Sequence, residues 1–345
     1  MASDRAKLAV LIVGYRNPDD IQRCLGSLAA SDWQDFEVFV CENGGKEAFE
    51  TLAAALIGQE LMLPWSQDED DILDTPGGRI SSVIKCRLQN RAVVVRLGLA
   101  TDNLGYGGGI NAWLERLLGT PGWEAVLVLN PDTEVHGSCL TEFMAKADQG
   151  FGMIGGTLVF DHAPDRIINY GLQWSPVTGR VLALGRNSAV GTSPTAEVLS
   201  RIDSISGACV LVTRAFIEDV GLMAEDYFLY MEDIDWGRRR GNHRIGFAER
   251  AIIRHVGGTA IGSAIDPRKQ SFLSVYLSAR NSILFARRWA GRRWLLHFGW
   301  GLLHAVRYAA IGAPLSAKVT LIGLMDGVQG KSGKPDASVR LPQLG

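Results

Sequence analysis

Apolar positions along this chain follow two alternating rhythms. Leu8 to Val13, Phe36 to Val40, Ala92 to Leu97 and Ala125 to Leu129 are nearly unbroken apolar runs. Such runs are expected of strands covered on both faces. Between them apolar residues recur at helical spacing. Ile21, Cys24, Leu25 and Leu28 follow Asp19, a candidate cap, and a second helix fits Lys46 to Leu56. A third opens in the glycine stretch Asn103 to Gly109 and reaches Leu118. Strands alternating with helices predict an α/β protein with a doubly wound, mostly parallel sheet. Later come a helix after Gly137, strands at Gly152 to Phe160 and Phe247 to Ile253, and a short helix from Arg214 to Val220. A hairpin within Asn169 to Leu184 turns at Thr178-Gly179. A long helix spans Phe272 to Trp289, and an Arg- and Trp-rich tail follows. Gln59 to Gln89 has no clear period and carries Asp68, Glu69, Asp70 and Asp71, so it reads as a surface excursion.

Composition changes this picture little. With 345 residues, 47% hydrophobic and 21% charged, the chain can bury a large core. A net charge of -2 argues against a nucleic-acid partner. The five cysteines are scattered, with neither disulfide nor metal spacing, which points to a reducing compartment. Asp4, Arg5 and Lys7 lead straight into the first strand without a signal-peptide pattern, so a cytoplasmic location is expected.

Ligands of parallel sheets sit beyond the carboxyl ends of the strands. Tyr15, Glu42, Asn103 and Asp132 each follow such an end and are expected at one crevice. Pro131 would hold Asp132 rigidly there, as an oxygen ligand for a divalent cation or as an ordinary turn residue. The glycine stretch offers backbone amides to phosphate. Gly107, Gly109 and Ala112 also match G-x-G-x-x-A, which raises an NAD(P)-dependent oxidoreductase as a rival reading. That fingerprint belongs on the first strand of its unit, with an acidic residue ending the next strand, and neither holds here. His255, before Gly257 and Gly258, is either a structural histidine or a metal or phosphate contact beside Asp132. Finally, the aromatic run from Phe228 to Met231 breaks into Glu232, Asp233 and Asp235 at the start of a short helix stopped by Gly241. Either Arg238 and Arg239 neutralise these carboxylates, or they do chemistry.

In their order and spacing these pieces resemble the inverting family 2 glycosyltransferases of the GT-A fold, in particular a bacterial rhamnosyltransferase-like branch. The marks are Val13 to Asn17, Asn103 to Asn111, Leu129 to Thr133, Ser206 to Cys209, Phe228 to Asp235, His255 to Gly258 and Ala279 to Asn281. The resemblance implies a catalytic domain over 1–265, with a nucleotide-binding half at 1–135 and an acceptor half at 136–265. A helical region would occupy 266–345. It implies that Tyr15, Arg16 and Glu42 border the nucleotide base, and that Asn103 and Gly105 help hold the nucleotide. Asp132 matches the metal-binding carboxylate of the D-x-D element, whose first position is Asn130 here. His255 would lie near the diphosphate and the metal, Mn2+ or Mg2+. Asp233 matches the general base, with Glu232 in support. The implied donor is dTDP-rhamnose, with UDP-sugars second, and the acceptor a polysaccharide or lipid-linked glycan. A non-catalytic nucleotide-sugar-binding protein is the other alternative. In the tail, Arg287, Arg288, Arg292, Arg293 and Arg307 alternate with tryptophans and leucines. That mixture suits peripheral contact with an anionic membrane, or a helical layer packed on the catalytic domain or in a homodimer.

Overall fold

The structure is a computed structural model describing residues 6–58, 61–64, 71–88, 91–257 and 267–335. Asp4, Arg5, Asp68, Glu69, Asp70 and Gly258 lie outside the described residues. The first half runs β1 (Leu8–Gly14), α1 (Pro18–Ala29), β2 (Phe36–Glu42), α2 (Lys46–Gly58), β3 (Met62–Pro64), β4 (Ile80–Leu88), β5 (Val94–Ala100), α3 (Gly105–Leu118) and β6 (Ala125–Leu129). The second half continues with β7 (Thr133–Val135), α4 (Cys139–Ala147), β8 (Met153–Phe160), β9 (Ile167–Asn169), β10 (Gly171–Trp174), β11 (Val181–Leu184), α5 (Ala196–Ser200), β12 (Cys209–Thr213), α6 (Arg214–Val220), α7 (Glu232–Arg238) and β13 (Ile245–His255). Three helices follow, α8 (Phe272–Trp289), α9 (Trp294–Ala310) and α10 (Pro314–Gln329).

The main sheet runs β3-β4-β5-β2-β1-β6-β12-β8-β13-β7, with β9 beside β8. Four neighbours, β5, β2, β1 and β6, are parallel. Alternate residues of β1 face two cores: Leu8, Val10 and Ile12 meet the α1, α2 and α4 side, while Ala9, Leu11 and Val13 meet α3 and α6. Burial on both faces explains the unbroken apolar runs. The register aligns the strand ends. Gly14 pairs with Glu42 and Ile12 with Leu129, so the loops after β1, β2 and β6 emerge together.

Three expectations from the sequence need correction. The described part of 59–89 is not only surface excursion, because β4 pairs with β5 over its length and β3 pairs with β4. Asp71 is not a loose surface charge either. With Glu37 and Asp74 it pairs with the guanidinium of Arg96, which is 2% exposed. A buried arginine needs that compensation. At the start of α1 the capping position is Asn17 rather than Asp19, with Pro18 in the first turn and no side-chain cap bond.

Candidate active site

A cavity of about 690 Å³ opens at the carboxyl ends of the parallel strands. Of the residues expected there, Tyr15, Asn103, Gly105, Asn130, Asp132, Glu232, Asp233 and His255 all line it. Arg16 and Glu42 do not. Arg16 is exposed outside it, with its Nε donating to the Gly44 carbonyl. Glu42 is 1% exposed, and its carboxylate accepts the Arg16 and Gly44 N–H groups at 3.1 and 2.6 Å. It therefore ties together the loops after β1 and β2 and does not line the cavity. Its neighbour Asn43 lines the cavity instead, with Nδ2 donating to the Gly105 carbonyl at 2.8 Å. Sequence reasoning missed Asn43, although its place after β2 was the available signal.

Two of the amides that the glycine stretch was expected to offer to phosphate are used within the protein. The Gly105 and Tyr106 N–H groups are already taken by Asn103 Oδ1 and the Phe228 carbonyl. Gly107 and Gly109 are close-approach positions inside α3: a Cβ on Gly109 would sit 2.9 Å from both methyls of Val13. The G-x-G-x-x-A match thus reports helix packing, and the oxidoreductase reading loses its physical support.

Asp132 sits in the turn between β6 and β7, fixed by Thr133 bonds to the Asn130 carbonyl. Its Oδ2 accepts the Gly257 N–H at 3.1 Å, and His255 Nε2 lies 3.3 Å from Oδ1. Register explains the meeting, because β13 pairs with β7 so that His255 opposes Thr133. Burial pushes the Asp132 carboxyl up, but His255 and the Gly257 amide outweigh it and the net shift is downward. His255 Nε2 is buried yet lacks a partner with hydrogen-bond geometry. A buried nitrogen without a partner is costly unless a ligand completes it. Among the described residues no group of three or more His, Cys, Asp or Glu surrounds a metal position. Two protein donors still fit a divalent cation that takes its other ligands from substrate phosphates.

On the other side of the cavity, the segment before α7 is bent into the left-handed region. Phe228, Tyr230 and Met231 have φ of 62°, 70° and 82°. For bulky residues this conformation stores strain of about 1–3 kcal/mol each. Helix α8 holds it in place. Asn281, fully buried, donates from Nδ2 to the carbonyls of Tyr227, Leu229 and Tyr230, and Arg280 donates to that of Tyr227. Gly105 faces this bend from α3; with φ of 74° and a Cβ that would overlap the Phe228 carbonyl oxygen, the position admits only glycine.

The bend delivers the acidic turn to the cavity. Asp235 is the carboxylate that arginine neutralises, pairing with Arg239 at 2.7 Å, while Arg238 pairs with Asp203. Asp233 instead receives the Gly207 N–H on Oδ2 and the Ile234 N–H on Oδ1, at 2.9 and 2.8 Å. Those amides aim it and favour its charged form, although burial pushes its carboxyl up overall. Glu232 is 5% exposed, and its Oε2 has no partner. Burial, and then the adjacent Asp233, pushes its carboxyl up to about 8. The two share a site that holds one charge more readily than two.

A stability measurement tests this arrangement. Because the folded-state value of Glu232 is raised, its contribution is fully present below the ordinary carboxylate range and is lost as pH rises through about 8. Glu232→Gln stays neutral. Its melting temperature relative to wild type should therefore climb between pH 6 and pH 9, by the equivalent of about 2 kcal/mol or more. Parallel melting curves for the two proteins across that range would show that Glu232 does not titrate there.

No family model matches the chain. Among curated proteins it is similar to the low-salt glycan biosynthesis hexosyltransferase Agl10 of Haloferax volcanii, with 23% identity over 246 residues, 68% of this chain and 76% of that one. Among solved structures it matches S. aureus TarS 1–349 in complex with UDP-GlcNAc, at a TM-score of 0.50 and 14% identity, covering 94% of this chain and 81% of that one. The mannosyltransferase PcManGT from Pyrobaculum calidifontis, in complex with GDP-Man and Mn2+, is matched at a TM-score of 0.46 and 13% identity, over 95% and 77% of the two chains. The chain thus has a GT-A-like α/β fold with its cavity at the carboxyl ends of the parallel strands, and the curated protein it is similar to is a hexosyltransferase.

Proposed function

We propose that this glycosyltransferase moves a hexosyl unit from a nucleoside diphosphate donor to a glycan or lipid-linked glycan, with inversion at the anomeric carbon. One observation carries the reading: the Asp132–His255 pair, whose Nε2 lies 3.3 Å from Oδ1 without a well-aligned hydrogen bond, shares a single cavity with the amide-aimed carboxylate of Asp233. The cavity volume of about 690 Å³ falls in the range of small-molecule sites. Asp233 accepts the proton of the acceptor hydroxyl, and that oxygen attacks the anomeric carbon. The bond from that carbon to the diphosphate breaks, and the nucleoside diphosphate leaves with the electron pair. Attack from the face opposite the leaving group inverts the centre, so no second nucleophilic carboxylate is needed. Asp132 and His255 would hold a divalent cation, Mn2+ or Mg2+, which when bound neutralises charge on the departing diphosphate. Tyr15, 38% exposed at the cavity, offers its ring for stacking on the base. Glu232, neutral at pH 7, keeps a second charge away from Asp233.

Motif resemblance makes dTDP-rhamnose the first donor to try, and UDP-sugars the second. In a thermal-shift screen with and without manganese, a nucleotide sugar should raise the melting temperature, more so with metal. The stabilising donor should also release its nucleoside diphosphate on turnover. Stabilisation by NADP alone, or donor binding without turnover on any glycan acceptor, would overturn the reading.

A further inference from the structure

Helix α9 is apolar on both of its sides, and the protein covers only one. Trp294, His297, Phe298, Ala305 and Tyr308 form the packed stripe. The opposite face should be polar if it met only water. It carries instead Leu295, Leu296, Trp300, Leu303 and Val306, which are 61, 52, 45, 58 and 65% exposed. The same surface continues onto the β10–β11 hairpin. His297 Nε2 donates to the Pro176 carbonyl at 3.1 Å, and beside that contact Val177 and Leu182 are 55 and 41% exposed. Val181, on the same hairpin, lines the catalytic cavity. An exposed apolar face of this kind marks a contact with another phase or molecule.

Charge identifies the occupant. Across 267–335 the acidic side chains reduce to Asp326, which is buried and paired with Lys331 at 2.7 Å. Arg292 and Arg293 precede α9, Arg307 lies in its last turn, and Lys318 is exposed on α10. These four make no ion pair among the described residues. Arg287 and Arg288 are different: Arg287 donates to the Val328 carbonyl, and Arg288 lies 3.4 Å from Asp235. Both are exposed, but these contacts tie them to the protein and set them apart from the free cations. Apolar side chains flanked by free cations suit a helix lying in an anionic lipid surface. No helix among the described residues is long and apolar enough to cross a membrane. At 17 residues α9 is about 25 Å long, short of the roughly 30 Å hydrocarbon core.

We infer that the outer face of α9, with the β10–β11 hairpin tip, docks this protein in the plane of an anionic lipid leaflet, with the cavity opening beside it. Flotation with phosphatidylglycerol-containing and pure phosphatidylcholine vesicles tests this without donor or acceptor, so its outcome is separate from that of turnover. The wild type should float with the anionic vesicles and be released at high salt. Trp300→Ser combined with Leu303→Ser should lower partition about tenfold or more. Arg292→Gln combined with Arg293→Gln should lower it on anionic vesicles only. Circular dichroism confirms that both variants fold. Equal binding to neutral vesicles, or binding unchanged in both variants, would overturn the inference. So would a wild-type dimer that Leu303→Asp dissociates, in a protein that no vesicle binds, because a second copy would then be the occupant.

Discussion

Asp233→Asn should lower turnover by roughly 10²-fold or more while donor affinity stays near that of the wild type. The carboxylate is aimed by the Gly207 and Ile234 amides, and among the described residues no hydrogen bond or ion pair links it to Asp132 or His255. Removing its basicity therefore strikes proton acceptance and spares the nucleotide side. Asparagine can offer only one oxygen to two N–H donors, so some loss of stability is expected, about 1–3 kcal/mol. Chemical denaturation measures that loss, and calorimetric titration with the donor shows whether the site survives. The companion substitution, Glu232→Gln, should reduce turnover less, because Glu232 is already neutral below about pH 8. If Asp233→Asn kept near-normal turnover while Glu232→Gln abolished it, the two roles would be exchanged.

Asp132→Asn is the second large effect. The substitution keeps the volume and an oxygen for the Gly257 N–H but removes the charge that faces His255. Nucleoside diphosphate binding should lose most of its manganese dependence, and turnover should drop by about 10²-fold, as expected when several kcal/mol of charge neutralisation is lost. Chelation of the wild type should reproduce the binding loss, and added manganese should restore it in the wild type alone. Equal nucleotide affinity with and without metal in the wild type would remove Asp132 from this role.

Much of this site was legible in the sequence because apolar runs end abruptly in polar residues. Val13 to Tyr15 and Leu129 to Asp132 mark strand ends without ambiguity, and parallel register does the rest. Direction was harder to read than position. Glu42 stands at a strand end like Asp132, yet its carboxylate turns inward. The clue lay in its neighbours: a Cβ on Gly14 or Gly44 would come within 2.6 or 2.5 Å of the Glu42 oxygens. Strand β4 was missed because Ser81, Ser82, Lys85 and Arg87 interrupt its apolar pattern, as half-covered antiparallel strands permit. The left-handed positions Phe228, Tyr230 and Met231 were also hidden. No glycine marks them, and their stability comes from Asn281, some fifty positions later.

Helix α8 makes the C-terminal region hard to treat as an exchangeable module. Asn281 holds the bend before α7 from its middle, and its last turn leads through Gly291–Arg293 directly into α9. A chimera that took these helices from another enzyme, to send it to a different surface, would also inherit a foreign support for Asp233. Address and chemistry are therefore expected to be inherited together, and a functional graft would have to begin after Trp289 rather than at the end of β13.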